Sequence, residues 1–594
     1  MPGQQLYSIA MDGRDLFLFE GTATGDFEIF VVNGANTSLV SRITVSPDED
    51  GDFSVILPEL GENQYYSFHA VGGATVPAGR SNVTSINRMP AVVATGRTLY
   101  SMFYGLSNMR SVCLFDTCGI EYTRSMFSGC TSLADVPSYD LSDCIDMAGM
   151  FYGCGSLKSI PAYDTRNVKT FKESFRGCSS LVSCGQMDTG KATDMGWMFS
   201  GCSSLPDDGI PQLVTTNVKQ MEYMFQNCKS ITTVPFMDTS SCINFSYMFS
   251  GCASLKSIPF METGKGTDFS FMFNECKNLL SLPFLDTSAG KTFYSFMSGC
   301  SSIEEIPCFD TRNVTNWQDA FNGCKKLKYL PDFNTSSATF MFRTFQNCTT
   351  ITTVPKFDLS NVTNLYSAFY GCLSLIDCPE LSLPKATTLQ YLFRGCSSLE
   401  TVGAIYSPVA TDMRMVFYDC HQLKEVKFLD IAATGTSWGL FYNCYSLSAV
   451  EGLFIPNSIN CGSLFSGCKS LSEVPDILCP KCTGYEYILQ VMPNLERCGV
   501  IDVSSVPFSF NYLNFSHGSL TKLTDFGGFR GMKYTMNFKY MPNLSHESLL
   551  NILNEAGEAT EGAVMYFTQA QIDSLTEGEK AVATVKGWEI QPAN

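Results

Sequence analysis

A cysteine returns every 24 residues through the middle of this chain. It stands at Cys130, Cys154, Cys178 and Cys202, then, after one step of 26, at Cys228 and on through Cys252, Cys276, Cys300, Cys324, Cys348, Cys372, Cys396, Cys420 and Cys444 to Cys468. A Phe precedes nearly every one by three residues, with Met297 the exception, and a Leu or Ile follows each by three. A unit this short cannot bury its apolar side chains alone. It does so only by stacking on its neighbours, so the period constrains the chain to a solenoid.

Within a unit, Phe245, Met248, Phe249 and Cys252 fall at i, i+3, i+4 and i+7, the spacing of one helix face. The residue before the cysteine is Gly in ten of the fifteen units and Asn or Asp in four more, types that tolerate the left-handed conformation at a helix end; Glu275 is the exception. An extended run closed by proline follows, as in Leu255-Lys256-Ser257-Ile258-Pro259. These features predict an α/β solenoid, a leucine-rich-repeat-type rod with one short strand and one short helix per 24-residue rung. Its strands would stack in parallel at roughly 4.8 Å per rung.

The flanks do not repeat. In residues 1–88, the β-branched and aromatic runs 27–32, 42–46, 53–57 and 65–70 predict a small, sandwich-like antiparallel β domain, an anchor, with a linker over 77–90. The solenoid is expected over 89–544. Residues 545–594 read as a small α/β cap, with capping-box spacings at Thr568…Gln571 and Thr576…Glu579.

The net charge of −18 excludes a phosphate-neutralising nucleic-acid surface and docking on anionic lipid. No basic segment followed by an apolar run opens the chain, and no apolar run is long enough to span a bilayer, so neither a secretion signal nor membrane insertion is expected. Of 26 cysteines, 15 belong to the ladder, where they read as small buried apolar side chains; a handful of disulfides is the alternative. Free thiols in this number fit folding in a reducing compartment.

Chemistry is sparse. Ten residues after the ladder cysteine runs an acidic column, Asp140, Asp164, Asp188, Asp238, Glu262, Asp286, Asp310 and Asp358, interrupted by Asn334 and Ser382. Side-chain turns that satisfy local amides are the preferred reading, with calcium binding or paired-acid catalysis as alternatives. Residues 48–52 read as a hairpin turn or a calcium loop, and Cys479-Pro480-Lys481-Cys482 has the spacing of half a zinc site, with Cys461, Cys468 and Cys498 the nearby candidates. There is no nucleophile elbow, Walker loop or zinc-protease motif, so no catalytic residue, cofactor or metal is expected. The surface that can recognise a partner is the exposed strand face after the ladder leucine, represented by Lys158, Glu304, Glu305, Lys328 and Tyr329.

The unit M-F-x-G-C-x-S-L-x-x-[IV]-P, followed by Asp310-Thr311-Arg312-Asn313-Val314-Thr315 and its equivalents, resembles the BspA-like leucine-rich repeats of bacterial surface proteins over about 98–544. The closing segment, Leu575-Thr576-Glu577 to Lys586-Gly587-Trp588, is similar to a tail module that follows such repeats in gut bacteria and their phages. The resemblance implies adhesion and recognition by an extended repeat face. With no secretion signal in view, the expectation is a non-enzymatic bacteriophage virion appendage, a tail fibre or capsid-surface fibre made in the host cytoplasm. It would join other virion proteins through the N-terminal domain and a host surface protein or glycan through the solenoid. A homo-oligomer is compatible with this. A secreted bacterial adhesin is the alternative, and a polysaccharide-active enzyme built on the acidic column a more distant one.

Overall fold

The computed structural model describes residues 18–23, 26–33, 39–50, 52–57, 64–70, 83–89, 97–450, 453–507 and 520–593. The chain divides into two compact units, Met1–Gly290 and Lys291–Asn594.

The first unit opens with β1 (Leu18–Ala23), β2 (Phe27–Asn33), β3 (Leu39–Val45), β4 (Asp52–Ile56), β5 (Gln64–Ala70) and β6 (Val83–Arg88). They form two antiparallel layers, β4-β1-β6 and β3-β2-β5. Phe27 of β2 meets Phe53 of β4 edge-on at 4.8 Å, and Ile29, Val31, Val83 and Ile86 are buried with them. The acidic stretch at 48–52 carries the chain from one sheet to the other rather than closing a hairpin. Asp48 Oδ1 accepts the amides of Asp50 and Asp52 at 3.1 and 2.9 Å. Strand β6 falls inside the span expected as a linker; residues 77–82 and 90 of that span lie outside the described residues. β6 pairs in parallel with β7 (Ser111–Val112), so the sheet runs into the first rung.

Successive rungs are parallel. One column of bridges sits eight residues before the ladder cysteine, from Thr98 through Tyr122, Asp146, Thr170, Asp194, Gln220 and Asn244 to Asp268 in the first unit. A corresponding column runs from Thr292 to Thr436 in the second.

The expected helix in each rung is corrected. Among the described residues, α-helix occurs only beyond Ser545. The stretch before each cysteine is instead a run of tight turns whose amides alternate in direction. In the rung of Cys130, the amides of Thr123, Ser125, Phe127 and Gly129 donate to carbonyls of the next rung, at 2.7–3.0 Å. The intervening amides of Met126, Ser128 and Cys130 donate three residues back, at 3.1 Å. This requires a left-handed residue every fourth position: Ser125 has φ 55° and Gly129 φ 81°. The same pair recurs as Glu173 and Gly177, Trp197 and Gly201, Tyr247 and Gly251, and, in the second unit, Arg343 and Asn347. A turn pattern of period four buries i, i+3, i+4 and i+7 just as a helix of period 3.6 does, and over seven residues the two cannot be told apart. Glu275, out of place as a helix cap, has φ 59° like the residues it replaces.

The apolar positions face inward. The Phe column stacks from ring to ring, Phe127, Phe151, Phe175, Phe199, Phe225, Phe249 and Phe273, with centroids 5.5–5.9 Å apart. In the second unit Phe321 to Phe465 do the same. Each fully buried ring contributes about 2–3 kcal/mol.

All 26 cysteines are free thiols. In the ladder the thiol donates to the carbonyl of the preceding rung's phenylalanine, Cys154 Sγ to Phe127 O and Cys178 Sγ to Phe151 O at 3.1 and 3.2 Å. Burial pushes the Cys178 and Cys348 thiols up to about 12, so they stay protonated donors.

The opposite side of the rung is a sheet in some places and not in others, and the seventh residue after the cysteine decides. With an amide hydrogen there, a bond to the preceding rung forms from Gly185 to Ile160 O at 2.8 Å, Gly403 to Cys378 O at 2.9 Å and Lys427 to Val402 O at 3.3 Å, and likewise from Gly499, seven after Met492, to Val474 O at 2.9 Å. Gly209, in the lengthened rung, bonds instead to Pro206 O at 3.1 Å. Two-residue parallel strands form at the bonded interfaces, such as Asp377–Cys378 with Thr401–Val402 and then Glu425–Val426. Where the residue is Pro235, Pro259, Pro331 or Pro355, no donor exists and no strand is formed there.

The second unit ends with a parallel sheet of Met536–Asn537, Val564–Phe567 and Glu589–Pro592. Three helices accompany it, α1 (His546–Glu555), α2 (Gln569–Ser574) and α3 (Glu577–Val585). Ser545 caps α1, and Thr568 with Gln571 and Thr576 with Glu579 form capping boxes on α2 and α3. Trp588 is buried, and its indole N–H donates to Gly557 O at 2.9 Å.

Candidate recognition surface

The positions after the ladder leucine emerge as exposed, because the leucine and the residue three beyond it point inward and fix the two between them outward. Lys158 is exposed in the first unit. In the second, Glu304, Glu305, Lys328 and Tyr329 are exposed, Tyr329 at 64%. Lys328 Nζ donates to Glu304 Oε2 at 2.6 Å across one rung step, which holds the Glu304 carboxyl below its ordinary value. The same step pairs Lys424 with Glu400 at 2.6 Å, and Arg497 with Glu473. Solvent-exposed pairs like these add little stability and leave the side chains free to exchange partners.

The acidic column is occupied by turns. Asp140, Asp238, Asp286 and Asp358 each accept, on Oδ1, the amide two residues on, at 3.0 Å. Hydrogen bonds from Ser240 hold the Asp238 carboxyl below its ordinary value, and Arg312 does the same for Asp310. A buried threonine follows each acid except Asp140 and Asp358, where leucine stands, and ties the rungs together, Thr165 Oγ1 donating to Asp188 O at 2.7 Å and Thr311 Oγ1 to Asn334 O at 2.9 Å. Asn334 fills the same turn, its Oδ1 accepting Ser336 N–H at 3.1 Å. The carboxylates are thus spaced by backbone geometry and turned toward their own loops.

Cys479 and Cys482 are buried beside Cys461, whose Sγ lies 3.8 Å from that of Cys479. The neighbouring Cys461 and burial push Cys479 up, and burial pushes Cys482 up. Among the described residues no group of three or more His, Cys, Asp or Glu is arranged to hold a metal. The insertion at 206–209 is a short 3-10 turn, Asp207–Gly209, and Asp207 accepts hydrogen bonds from Thr232.

Two aromatic features are not singled out by the sequence reading. In the first unit Phe236, Phe260 and Phe284 are 63, 53 and 57% exposed on three consecutive rungs. A cavity of about 210 Å³ between Phe236 and Phe260 is shared with Asp238 and Glu262. The available signal is the recurrence Pro235-Phe236-Met237-Asp238-Thr239, Pro259-Phe260-Met261-Glu262-Thr263 and Pro283-Phe284-Leu285-Asp286-Thr287. A residue that follows the proline and precedes a buried Met or Leu must point outward.

The second is a half-buried stack on the turn side, Trp197, Tyr223, Tyr247 and Phe271, with centroid separations of 3.6, 4.2 and 4.3 Å. The Arg176 guanidinium lies 3.9 Å from the Trp197 ring centre. Both faces of Trp197, Tyr223 and Tyr247 are therefore covered, and these rings present only edges to a ligand.

The family model described as "Mycoplasma protein of unknown function, DUF285" matches residues 97–208, 193–304 and 287–404, together more than half of the chain. No curated protein matches it. Two solved structures are similar in part. A leucine-rich repeat protein from Eubacterium ventriosum is 15% identical, covering 75% of this chain and 90% of its own, with a TM-score of 0.22. The functional domain of InlJ from Listeria monocytogenes, which includes a cysteine ladder, is 14% identical, covering 75% and 70%, with a TM-score of 0.17. Likenesses at these TM-scores carry no weight for function. No described helix is long and apolar enough to cross a membrane.

Proposed function

The chain belongs to the DUF285 family of repeat proteins, and we propose that it is a non-enzymatic recognition protein whose repeat surface binds a host surface protein or glycan. The observation that carries this reading is the row Phe236, Phe260 and Phe284, three phenyl rings more than half exposed on consecutive rungs. Contiguous apolar surface of this kind marks interaction sites. The exposed positions Lys158, in the first unit, and Glu304, Glu305, Lys328 and Tyr329, in the second, supply polar contacts on their own rungs.

The host context we favour is a virion appendage, joined to other virion proteins through the N-terminal sheets; a secreted bacterial adhesin is the second reading. The 26 free thiols, nearly all buried, favour the first, because a virion protein folds in the reducing cytoplasm before lysis. Against an enzyme stand the acidic side chains engaged in their own turns.

Peptide mass spectrometry on purified phage particles and on the outer-surface fraction of uninfected host cells tests the context. Stoichiometric recovery from particles supports the appendage; recovery only from cells overturns it in favour of the adhesin. For recognition itself, the triple substitution of Phe236, Phe260 and Phe284 by Ser should abolish adherence to host cells while leaving the melting temperature unchanged. Undiminished adherence would remove the phenyl row from the reading.

A further inference from the structure

In the second unit, two adjacent positions on the turn side carry large, at least partly exposed side chains in several rungs, such as Phe342 with Arg343, Gln390 with Tyr391 and Arg414 with Met415. At two consecutive rungs the column is cut away. Gly439 follows Trp438, and Gly462 and Ser463 follow on the next rung. The Trp438 indole lies against the vacant side of Gly462: a Cβ there would meet its Cδ1 at 2.7 Å and Nε1 at 3.0 Å. A cavity of about 450 Å³ results, with apolar walls from Trp438, Met415 and Tyr391 and polar groups from Arg414, Thr436 and Asn460.

The lining polar groups are mostly donors, and one carboxylate borders the notch: Glu486 Oε2 would stand 3.0 Å from a Cβ at Gly462. Arg414 Nε and Nη2 are held by Asp412 at 3.0 and 2.7 Å, which neutralises the guanidinium and leaves Nη1 outside that pair. Asn460 Oδ1 accepts Gly462 N–H at 2.9 Å, so its Nδ2 donors remain. Among the described residues no acceptor meets Trp438 Nε1, and no ring or cation is stacked on the indole, unlike Trp197.

An apolar aromatic plate ringed by uncommitted donors, with its one cation already paired, suits a ligand with an apolar C–H face and hydroxyl acceptors at its edge. A free carboxylate or phosphate would find no unpaired positive charge. We propose that this notch binds a pyranose unit of a glycan, its C–H face on Trp438 and its hydroxyls on Arg414, Thr436 and Asn460. The site stands independently of the phenyl row of the first unit.

The test uses the full chain and methyl glycosides of glucose, galactose, mannose, N-acetylglucosamine and glucuronic acid at millimolar concentration, read by saturation-transfer NMR and tryptophan fluorescence. At least one neutral glycoside should show transfer to its ring protons, and binding should weaken at least about tenfold in Trp438→Ala. Trp438→Phe keeps a ring in place and should retain part of the affinity, which separates loss of the plate from loss of the fold. Trp197→Ala, on the covered stack, should bind as wild type. The proposal is overturned if none of the five glycosides shows transfer, if only glucuronate binds, or if Trp438→Ala binds unchanged. Cell adherence that survives Trp438→Ala would leave the phenyl-row reading intact while removing this one.

Discussion

Residues 327–358 and 377–430 of the second unit share one repeat, one core and one turn pattern, yet only the latter forms a sheet. The difference traces to a single position. At Gly403 an amide reaches back to Cys378 O, and across the same interface Leu381 N donates to Ala404 O at 2.8 Å. At Pro355 and Pro379 the first bond has no donor. The amides of the preceding rung that would make the second, Phe333 and Phe357, curl back to Pro331 O and Pro355 O within their own rungs, at 2.8 and 2.9 Å. One proline therefore costs both ladder bonds of its interface, each worth about 1 kcal/mol net. Rung stacking survives this because the turn side and the Phe column hold the rungs together. The sheet is an optional reinforcement, and the turns are the backbone of the fold.

Glycine at this position is a requirement of approach. A Cβ at Gly403 would stand 2.5 Å from Glu380 N and 2.8 Å from Pro379 C, and one at Gly185 2.4 Å from Ala162 N. Lys427 carries a Cβ there, and its ladder bond is 3.3 Å against 2.9 Å for Gly403. Gly403→Ala should therefore produce the largest effect, a loss of about 1–3 kcal/mol from overpacking against backbone. Denaturant titration followed by circular dichroism measures it, and an unchanged midpoint would break the argument that contact distance selects glycine. Next comes Lys427→Pro, which converts a sheet interface to the proline type. It should cost about 1–2 kcal/mol without loss of the fold, since prolines already occupy the position at Pro331 and Pro355. Global unfolding by the same assay would show that the sheet is not optional.

Hydrogen exchange sharpens the contrast without mutation. The Leu381 and Gly403 amides, bonded across rungs, should exchange more slowly than those of Phe333 and Phe357, bonded only within their own. Equal protection would mean that rung opening, not the ladder, controls exchange. The smallest effect is expected for Pro331→Gly, which restores a donor but adds unfolded-state entropy. The two terms should nearly cancel, leaving a change within about 1 kcal/mol. Appearance of a slowly exchanging amide at residue 331 would show that the ladder had formed.

The register of the solenoid was readable because Phe127, Cys130 and Leu133 and their equivalents return in phase, and periodicity in buried positions survives any local backbone that buries them. The same feature hid the turn. Trp197, Tyr223 and Arg343 sit at positive φ, where side chains with a Cβ are strained by about 1–2 kcal/mol each. No residue-type preference announces such a site. Only the neighbouring rung, whose carbonyl receives that residue's amide, supplies the reason. The side-chain turns at Asp140 and Asp286 were legible from local chemistry, because an Asx turn needs nothing beyond its own two residues. The Trp438 notch was not, because it is made by what Gly439 and Gly462 leave out on adjoining rungs.

The thiol ladder has a consequence for the lifetime of the molecule. No covalent cross-link ties any rung to another, while the native stack keeps most of its 26 thiols out of reach of oxidants. A chain that opened in aerated surroundings would expose all of them together and pair them at random. Its return path would then be closed by mismatched bonds. Endurance outside a reducing compartment is thus governed by the rate of first opening and not by the free energy between open and closed forms. The fold is made once, at synthesis, and afterwards only spent.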